Sequence, residues 1–401
     1  MKNLTASTIL LVLMCFSVWN TSAQVEAPAF GKGLLNIKGK DSTYSMKVGL
    51  RIQFLAQTDT DLEDGQWVSP DASMKIRRAR LKFDGFAYSP KLQYKIELGL
   101  SNDDMGGASI YTNDAARMIL DAVVKYNFYK NWSIWAGQTK LPGNRERVVS
   151  SANLQFVNRS NLNSKFNIDR EAGFQLRNHH KIGDEFVMRE IFSFSQGEGR
   201  NVSTGNIGGF FYVGRLEFLP FGNFSSKGDY TESDLKREKT SKFSLGVTYA
   251  YNNDAVKTRS NQGTYMLTDT GYYQTDISTL FVDFMYKLRG FSAMGEFALM
   301  DAADPYAKDA NGNLADYQVE VGNSTNIQFG YLFPKNYELA VRFTNITYED
   351  GIDLKNSNEY TIGASKYIVG HKLKLQSDFG YTDTEGPNDG MRFRLQMELH
   401  F

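Results

Sequence analysis

The last eleven residues constrain the fold more than any other feature of this 401-residue chain. The odd-numbered positions from Met391 to Phe401 are all apolar, and the even-numbered positions between them are all polar or charged. Because successive side chains of a β-strand point to opposite faces, this period of two predicts a strand with one apolar and one polar face. The same alternation begins near Tyr44 and recurs along the chain, which predicts an all-β protein.

The candidate strands favour a membrane barrel over a soluble β-sandwich, although a sandwich also alternates apolar and polar residues. They are longer than the usual strand of about 5–6 residues. Their apolar faces end in Tyr, Phe or Trp, and their polar faces carry many Arg, Lys and Glu, as expected of an aromatic girdle around a polar lumen. No segment after residue 23 is apolar enough for a spanning helix, so membrane residence requires a closed barrel.

Sixteen candidate strands can be counted, with long outer loops alternating with short turns as in bacterial barrels. Their predicted starts lie near residues 44, 73, 91, 115, 132, 167, 185, 208, 240, 276, 291, 318, 336, 357, 371 and 391. The segment 220–239 is the exception, because it is long where a short turn is due. We therefore predict a transmembrane antiparallel β-barrel of 16 strands over 44–401, with 14 or 18 strands left open. A barrel of this size leaves an aqueous channel.

The N-terminal residues 1–23 are predicted to be a cleaved signal peptide. Lys2 supplies the positive region, 9–18 form a short apolar core, and Ala23 ends a run of small residues. Residues 24–43 are then expected to form a periplasmic tail. Together with the barrel, this predicts export to the outer membrane of a Gram-negative bacterium.

The formal net charge of zero argues against a strongly basic nucleic-acid binder, but it hides a segregation of charge. Between Lys75 and Lys95 there are seven basic residues and one acid. Alternation predicts that Arg77 faces outward near the interface and that its neighbours on the polar face point into the lumen. The predicted lumenal column consists of Lys47, Arg51, Arg78, Arg80, Lys82 and Lys95.

A second basic cluster accompanies the third outer loop, 141–166, which we expect to fold into the lumen and narrow it. The predicted constriction residues are Lys140, Arg145, Arg147 and Arg159. A ring of Arg and Lys in a narrow pore favours anions, and phosphate can accept paired hydrogen bonds from Arg. For any one of these residues, simple solvation of the lumen is the alternative reading.

Three segments resemble the phosphate-selective porin O and P family: 77–81 (RRARL), 137–142 (GQTKLP) and 169–173 (DREAG). The resemblance implies a sixteen-stranded trimeric porin with an arginine ladder, to which Arg78, Arg80 and Lys82 would belong. It also implies that Lys140, Arg145 and Arg147 form the constriction. The chain departs from the family pattern at Gly143, where a Phe is usual. The terminal Phe401 resembles the signal that the outer-membrane assembly machinery reads.

These observations predict an anion-selective diffusion channel for phosphate or polyphosphate-like solutes. An enzyme and a cofactor are not expected, because the chain has four His and none of the common nucleophile, zinc or phosphate-loop motifs. The expected partners are small inorganic or organic anions, outer-membrane lipid and lipopolysaccharide, the assembly machinery and two further copies in a homotrimer, with no nucleic acid. The alternative is a structural or interaction barrel with a blocked lumen, in which 220–239 and 252–275 dock a partner.

Overall fold

The computed structural model describes residues 28–63, 66–68, 70–386 and 389–401, so the signal peptide predicted at 1–23 lies outside the described residues. Sixteen antiparallel strands form a closed barrel, in which each strand pairs with its neighbours in the chain and the first pairs with the last. The strands are β1 Tyr44–Glu63, β2 Asp71–Ala87, β3 Ser89–Gly99, β4 Ile119–Tyr129, β5 Trp132–Lys140, β6 Arg170–Ile182, β7 Phe186–Ser195, β8 Phe211–Leu219, β9 Lys242–Ala255, β10 Thr275–Leu288, β11 Phe291–Ala302, β12 Gly322–Phe333, β13 Tyr337–Tyr348, β14 Ser357–Tyr367, β15 Leu373–Thr384 and β16 Gly390–His400.

The predicted fold class is confirmed, and every predicted strand start lies within four residues of the observed one. The alternation explains this agreement, because it sorts side chains between the two faces of the wall. On β16, Leu395 points outward and is 47% exposed, whereas the neighbouring Gln396 points inward and is 2% exposed. Apolar side chains thus cover the outside of the barrel, and polar side chains line the inside.

The connections divide the barrel into two ends, which we call the loop end and the turn end. Short turns join β2 to β3, β4 to β5, β6 to β7, β10 to β11, β12 to β13 and β14 to β15. The connection from β8 to β9 also lies at the turn end but is long, as the sequence predicts. The loops at the other end carry short strands at Gln66–Trp67, Lys257–Arg259, Gln262–Tyr265, Leu267–Thr268, Gly271–Tyr272, Tyr306–Lys308 and Leu314–Gln318.

Helical structure in the described ranges is limited to a few short turns. The third loop contains two helices, α1 Arg145–Val148 and α2 Asn161–Lys165. Single 3-10 turns lie at Ile110–Thr112, Ser225–Tyr230 and Pro334–Asn336. None of the helices described is long and apolar enough to cross a membrane.

The described part of the predicted tail contacts the barrel where its first strand, β1, meets its last strand, β16. A short strand, Leu35–Lys38, pairs with β1 so that Leu35 lies opposite Val48. The pairing of β16 with β1 ends at Phe401, whose amide donates to the carbonyl of Leu50 at 2.9 Å. The short strand then pairs with the preceding residues of β1, 45–48. The ring of Phe30 packs edge-on against Phe401, with 5.5 Å between the centroids.

A β-bulge on β2 corrects the prediction for Arg77. Gln53 of β1 lies opposite Arg78, but the next residue, Phe54, lies opposite Ile76, so Arg77 is the extra residue. A bulge shifts the alternation of one strand by one position. Arg77 therefore does not face outward, and its NH1 donates to the carbonyl of Val157 in the third loop at 2.8 Å.

Candidate functional site

The third loop is bound to inward-facing carboxylates on the wall opposite β2–β6. Nδ2 of Asn144 donates to Glu296 on β11 at 3.1 Å, and the amide of Val157 donates to Asp378 on β15 at 2.9 Å. Nε2 of Gln155 donates to Glu338 on β13 at 2.8 Å. All these groups are buried. The loop is thus tied to three strands spread over one half of the barrel.

The long connection 220–239 reaches the third loop from the turn end. The ammonium group of Lys287 on β10 donates to the carbonyls of Gly228 and Ser233 at 2.7 and 2.8 Å. The amide of Gln155 in the third loop donates to the carboxylate of Glu232 at 2.7 Å. Burial, with the nearby charge of Glu146, raises the pKa of Glu232 to about 7. The two segments therefore pack against each other and against the same half of the wall.

The sequence predicts Arg145 at the constriction, but in the structure Arg145 lies against the wall of the barrel. Its side chain is fully buried, and its guanidinium lies 3.2 Å from Glu217 on β8 and 3.0 Å from Asp283 on β10. Arg215 on β8 binds the same two carboxylates, at 2.9 and 2.7 Å. Arg145 lines neither of the two cavities described next. It anchors the third loop because two inward-facing acids on the wall attract it.

Two basic cavities lie against the wall formed by β2–β6. The loop-side cavity, of about 570 Å³, has ten basic and three acidic residues in its lining. The basic residues are Arg78, Arg80, Arg117, Lys140, Arg147, Arg159, Arg170, Arg200, Lys257 and Arg259. The turn-side cavity, of about 240 Å³, has seven basic and two acidic residues. Its basic residues are Arg80, Lys95, Lys125, Lys140, Arg170, Arg177 and Arg215.

Four residues border both cavities: Arg80, Lys140, Ser151 and Arg170. We call them the shared ring. Three of them come from the three motif segments 77–81, 137–142 and 169–173, which are far apart in the sequence. The fourth comes from the third loop. The motifs therefore meet at one place, where the two cavities adjoin.

The cations of the shared ring differ in how far their charge is neutralised. Arg80 lies 2.9 Å from Glu97 and 2.6 Å from Asp104. Arg170 lies 3.3 Å from Asp121. The ammonium group of Lys140 instead donates to the carbonyls of residues 147 and 149, at 2.6 and 3.1 Å. Among the described residues, no carboxylate lies within 4.0 Å of Lys140. The two backbone carbonyls stabilise its charge but do not neutralise it.

The third loop adds further cations on the loop side of the ring. Arg159 donates to the carbonyls of Glu146 and Val149, both at 2.8 Å. Burial and the neighbouring Arg147 lower the pKa of Arg159 to about 9. Arg147 itself is paired with Asp169, whose pKa is held well below its usual range by Arg147. This side of the ring is therefore crowded with like charges.

The predicted site residues are divided among several places. Arg78, Arg147 and Arg159 border the loop-side cavity, Lys95 the turn-side cavity, and Arg80 and Lys140 both. Arg51 and Lys82 border neither. Arg51 is paired with Glu398 and donates to Ser151 at 2.8 Å, whereas Lys82 is half-buried and lies 2.7 Å from Asp84.

Several basic residues of the cavities were not among the predicted site residues. Arg170 lies in the third motif segment, so that segment could have indicated it. Lys125, Arg177 and Arg215 are inward-facing strand residues whose alternation is visible in the sequence. The others belong to distant loops and carry no local signal: Arg117, Arg200, Lys257 and Arg259.

A closed barrel with an apolar outer face and charged cavities inside is the construction of an outer-membrane porin. The family model for "Phosphate-selective porin O and P" matches residues 46–401, and the chain belongs to this family. The resemblance of the three motif segments is thereby confirmed. The family and fold indicate a channel of the outer membrane rather than an enzyme. No curated protein matches the sequence.

Solved structures of other outer-membrane proteins share the fold. The channel DcaP of Acinetobacter baumannii has a TM-score of 0.55 at 14% identity, over 91% of this chain and 99% of that one. OmpF of Salmonella typhi, in complex with daunomycin, has a TM-score of 0.53 at 11% identity, over 91% and 100%. OprB of Pseudomonas putida has a TM-score of 0.51 at 9% identity, over 90% and 95%. At these identities the likeness is one of fold alone.

Proposed function

We propose that this porin is an anion-selective diffusion channel for phosphate and related anions. The proposed path runs along the β2–β6 wall, from the loop-side cavity through the shared ring to the turn-side cavity. The observation that carries the proposal is the shared ring, whose lining has three cations and no carboxylate. An anion entering it meets positive charge from both cavities, where basic residues outnumber acidic ones.

The chemistry of the ring suits oxyanions. Arg can present two parallel N–H groups to a phosphate, and Lys adds a compact charge. In a narrow pore, a wall of one sign concentrates the opposite ion and repels ions of its own sign. Conduction also requires binding that is weak enough for the ion to leave. The ion pairs of Arg80 and Arg170 meet this need, because they partly neutralise the ring.

We further propose that the third loop lies inside the lumen and sets its width. The buried contacts of Asn144, Gln155 and Val157 with three inward-facing carboxylates support this placement. Export with a cleaved signal peptide, recognition of Phe401 during assembly and a homotrimeric state are likewise proposals, resting on the sequence and the family resemblance. Contact with lipid and lipopolysaccharide is part of the same proposal.

The test is single-channel recording of the purified protein in planar bilayers. We expect ohmic channels whose reversal potential in a KCl gradient favours Cl⁻, and whose Cl⁻ current falls when inorganic phosphate is added. Channels that favour K⁺ would contradict the proposal.

The second candidate is an interaction barrel with a blocked lumen. The contact between the third loop and segment 220–239 favours it, because the two segments pack against each other and against the same half of the wall. Silence in bilayers, from protein that is folded by its resistance to detergent, would support this candidate over the channel.

A further inference from the structure

Three inward-facing side chains near the turn end form a cation–aromatic–cation group, which we call the Trp135 group: Lys125, Trp135 and Arg177. Lys125 on β4 lies directly opposite Trp135 on β5, and Arg177 is on the next strand, β6. Nζ of Lys125 lies 3.8 Å from the centroid of the indole ring, and Cζ of Arg177 lies 3.9 Å from it. Because the face of an indole attracts cations, Trp135 holds both charges at the cavity wall.

The two cations of the Trp135 group lack the partners that most cations of the turn-side cavity have. Lys95 lies 2.6 Å from Asp121, and Arg80, Arg170 and Arg215 are also paired with carboxylates. Across the part of the chain that the structure describes, no carboxylate lies within 4.0 Å of Lys125 or Arg177. Arg177 donates Nε and one terminal nitrogen to the amide oxygen of Gln175, at 3.0 and 2.7 Å. Both charges therefore stay available to a bound anion.

The wall around the Trp135 group has more apolar side chains than the lining of the loop-side cavity. Pro142, Val148, Ile191 and the ring of Tyr230 line the turn-side cavity together with Trp135. The cavity has a volume of about 240 Å³. A bare oxyanion has no group to place against these side chains. A phosphate ester can bury its organic part there while its charge meets the cations.

Resting on the proposed anion channel, we propose that the turn-side cavity is a solute site for phosphate monoesters with an apolar body. In this site Lys125 and Arg177 bind the phosphate, and Pro142, Val148 and Ile191 contact the organic part. Trp135 is a positioning residue, because it acts by holding the two cations. The loop-side cavity and the shared ring admit anions in general, and the Trp135 group then discriminates among them.

The test compares two blockers of the Cl⁻ current in planar bilayers: inorganic phosphate and monophenyl phosphate. Burial of an apolar group in a fitted pocket is worth roughly tenfold or more in discrimination. We therefore expect monophenyl phosphate to block the wild-type channel at a roughly tenfold lower concentration than inorganic phosphate. Equal half-blocking concentrations for the two anions would overturn the proposal, and this comparison needs no variant.

Variants then assign the preference to the Trp135 group. In Lys125→Gln/Arg177→Gln, and in Trp135→Leu, the preference for monophenyl phosphate should fall toward onefold, while the reversal potential still favours Cl⁻ because the shared ring is intact. The matched control is Trp132→Leu on the outward face of the same strand, which should keep the preference. A preference retained in the Trp135 group variants would overturn the assignment. A wild-type channel that favours K⁺ would instead refute the proposed function.

Discussion

Lys140 is the residue of the shared ring whose replacement tests the proposed channel most directly. The change Lys140→Gln removes its charge but keeps an N–H donor on the side chain. Since no carboxylate among the described residues is paired with Lys140, the change leaves no acid without a partner. We therefore expect a folded barrel with weaker anion selectivity.

The expected size of the effect follows from Coulomb's law. An anion about 5 Å from the ammonium group gains about 3 kcal/mol at an effective dielectric constant of about 20, and about 1 kcal/mol in bulk water. These limits correspond to roughly five- to 150-fold in anion partition, because about 1.4 kcal/mol is a factor of ten. A water-filled pore lies toward the lower limit, so we expect the Cl⁻ to K⁺ permeability ratio to fall roughly tenfold.

The assay is the reversal potential across a KCl gradient, measured at low and at high mean salt. The loss should be larger at 0.1 M than at 1 M, because the Debye length shrinks from about 10 Å to about 3 Å. The matched control is Lys82→Gln, which removes a half-buried charge that lies 2.7 Å from Asp84 and borders neither cavity. If Lys140→Gln and Lys82→Gln have the same reversal potential as wild type, the path through the shared ring is refuted.

Three further predictions concern stability, pH and assembly. Arg145→Met should destabilise the barrel by about 3 kcal/mol, because it leaves Glu217 and Asp283 with less compensating charge in a buried site; an unchanged melting temperature on semi-native gels would contradict this. Burial lowers the pKa of Lys257 to about 8, so this lysine is charged below that pH and neutral above it. Anion selectivity should therefore decline between about pH 7 and pH 9, and a Lys257→Arg variant, which stays charged, should reduce that decline; an identical pH profile in both proteins would refute the role of Lys257. Deletion of Phe401 should reduce the amount of barrel in the outer membrane of cells, whereas Phe401→Tyr should retain it; normal levels of the deletion protein would argue against a signal role.

The wall of the barrel is readable from the sequence because its rule is local. Each side chain faces lipid or the interior according to its position in a period of two, and Leu395 and Gln396 show the result. The same rule failed at Arg77, where a one-residue bulge reversed the alternation. A bulge depends on the register with the neighbouring strand, which a single strand sequence does not encode.

The site is only partly readable, because its composition depends on contacts between distant segments. The motif segments contributed Arg80, Lys140 and Arg170 to one ring, although the sequence alone did not predict that they adjoin. Its position in a basic loop and the family resemblance both predict Arg145 at the constriction. The structure buries it instead, because Asp283 and Glu217 lie on strands about 70 to 140 residues further along the chain.

The contacts of the third loop explain how a chain with a net charge of zero can have two basic cavities. On the half of the barrel from β8 to β15, the inward-facing acids Glu296, Glu338 and Asp378 accept hydrogen bonds from the loop. These carboxylates are thereby buried and kept away from the cavities. The acids that line the two cavities are paired with cations, and the basic residues of each lining outnumber them. The third loop therefore covers Glu296, Glu338 and Asp378, and none of these three acids lies in the lining of either basic cavity.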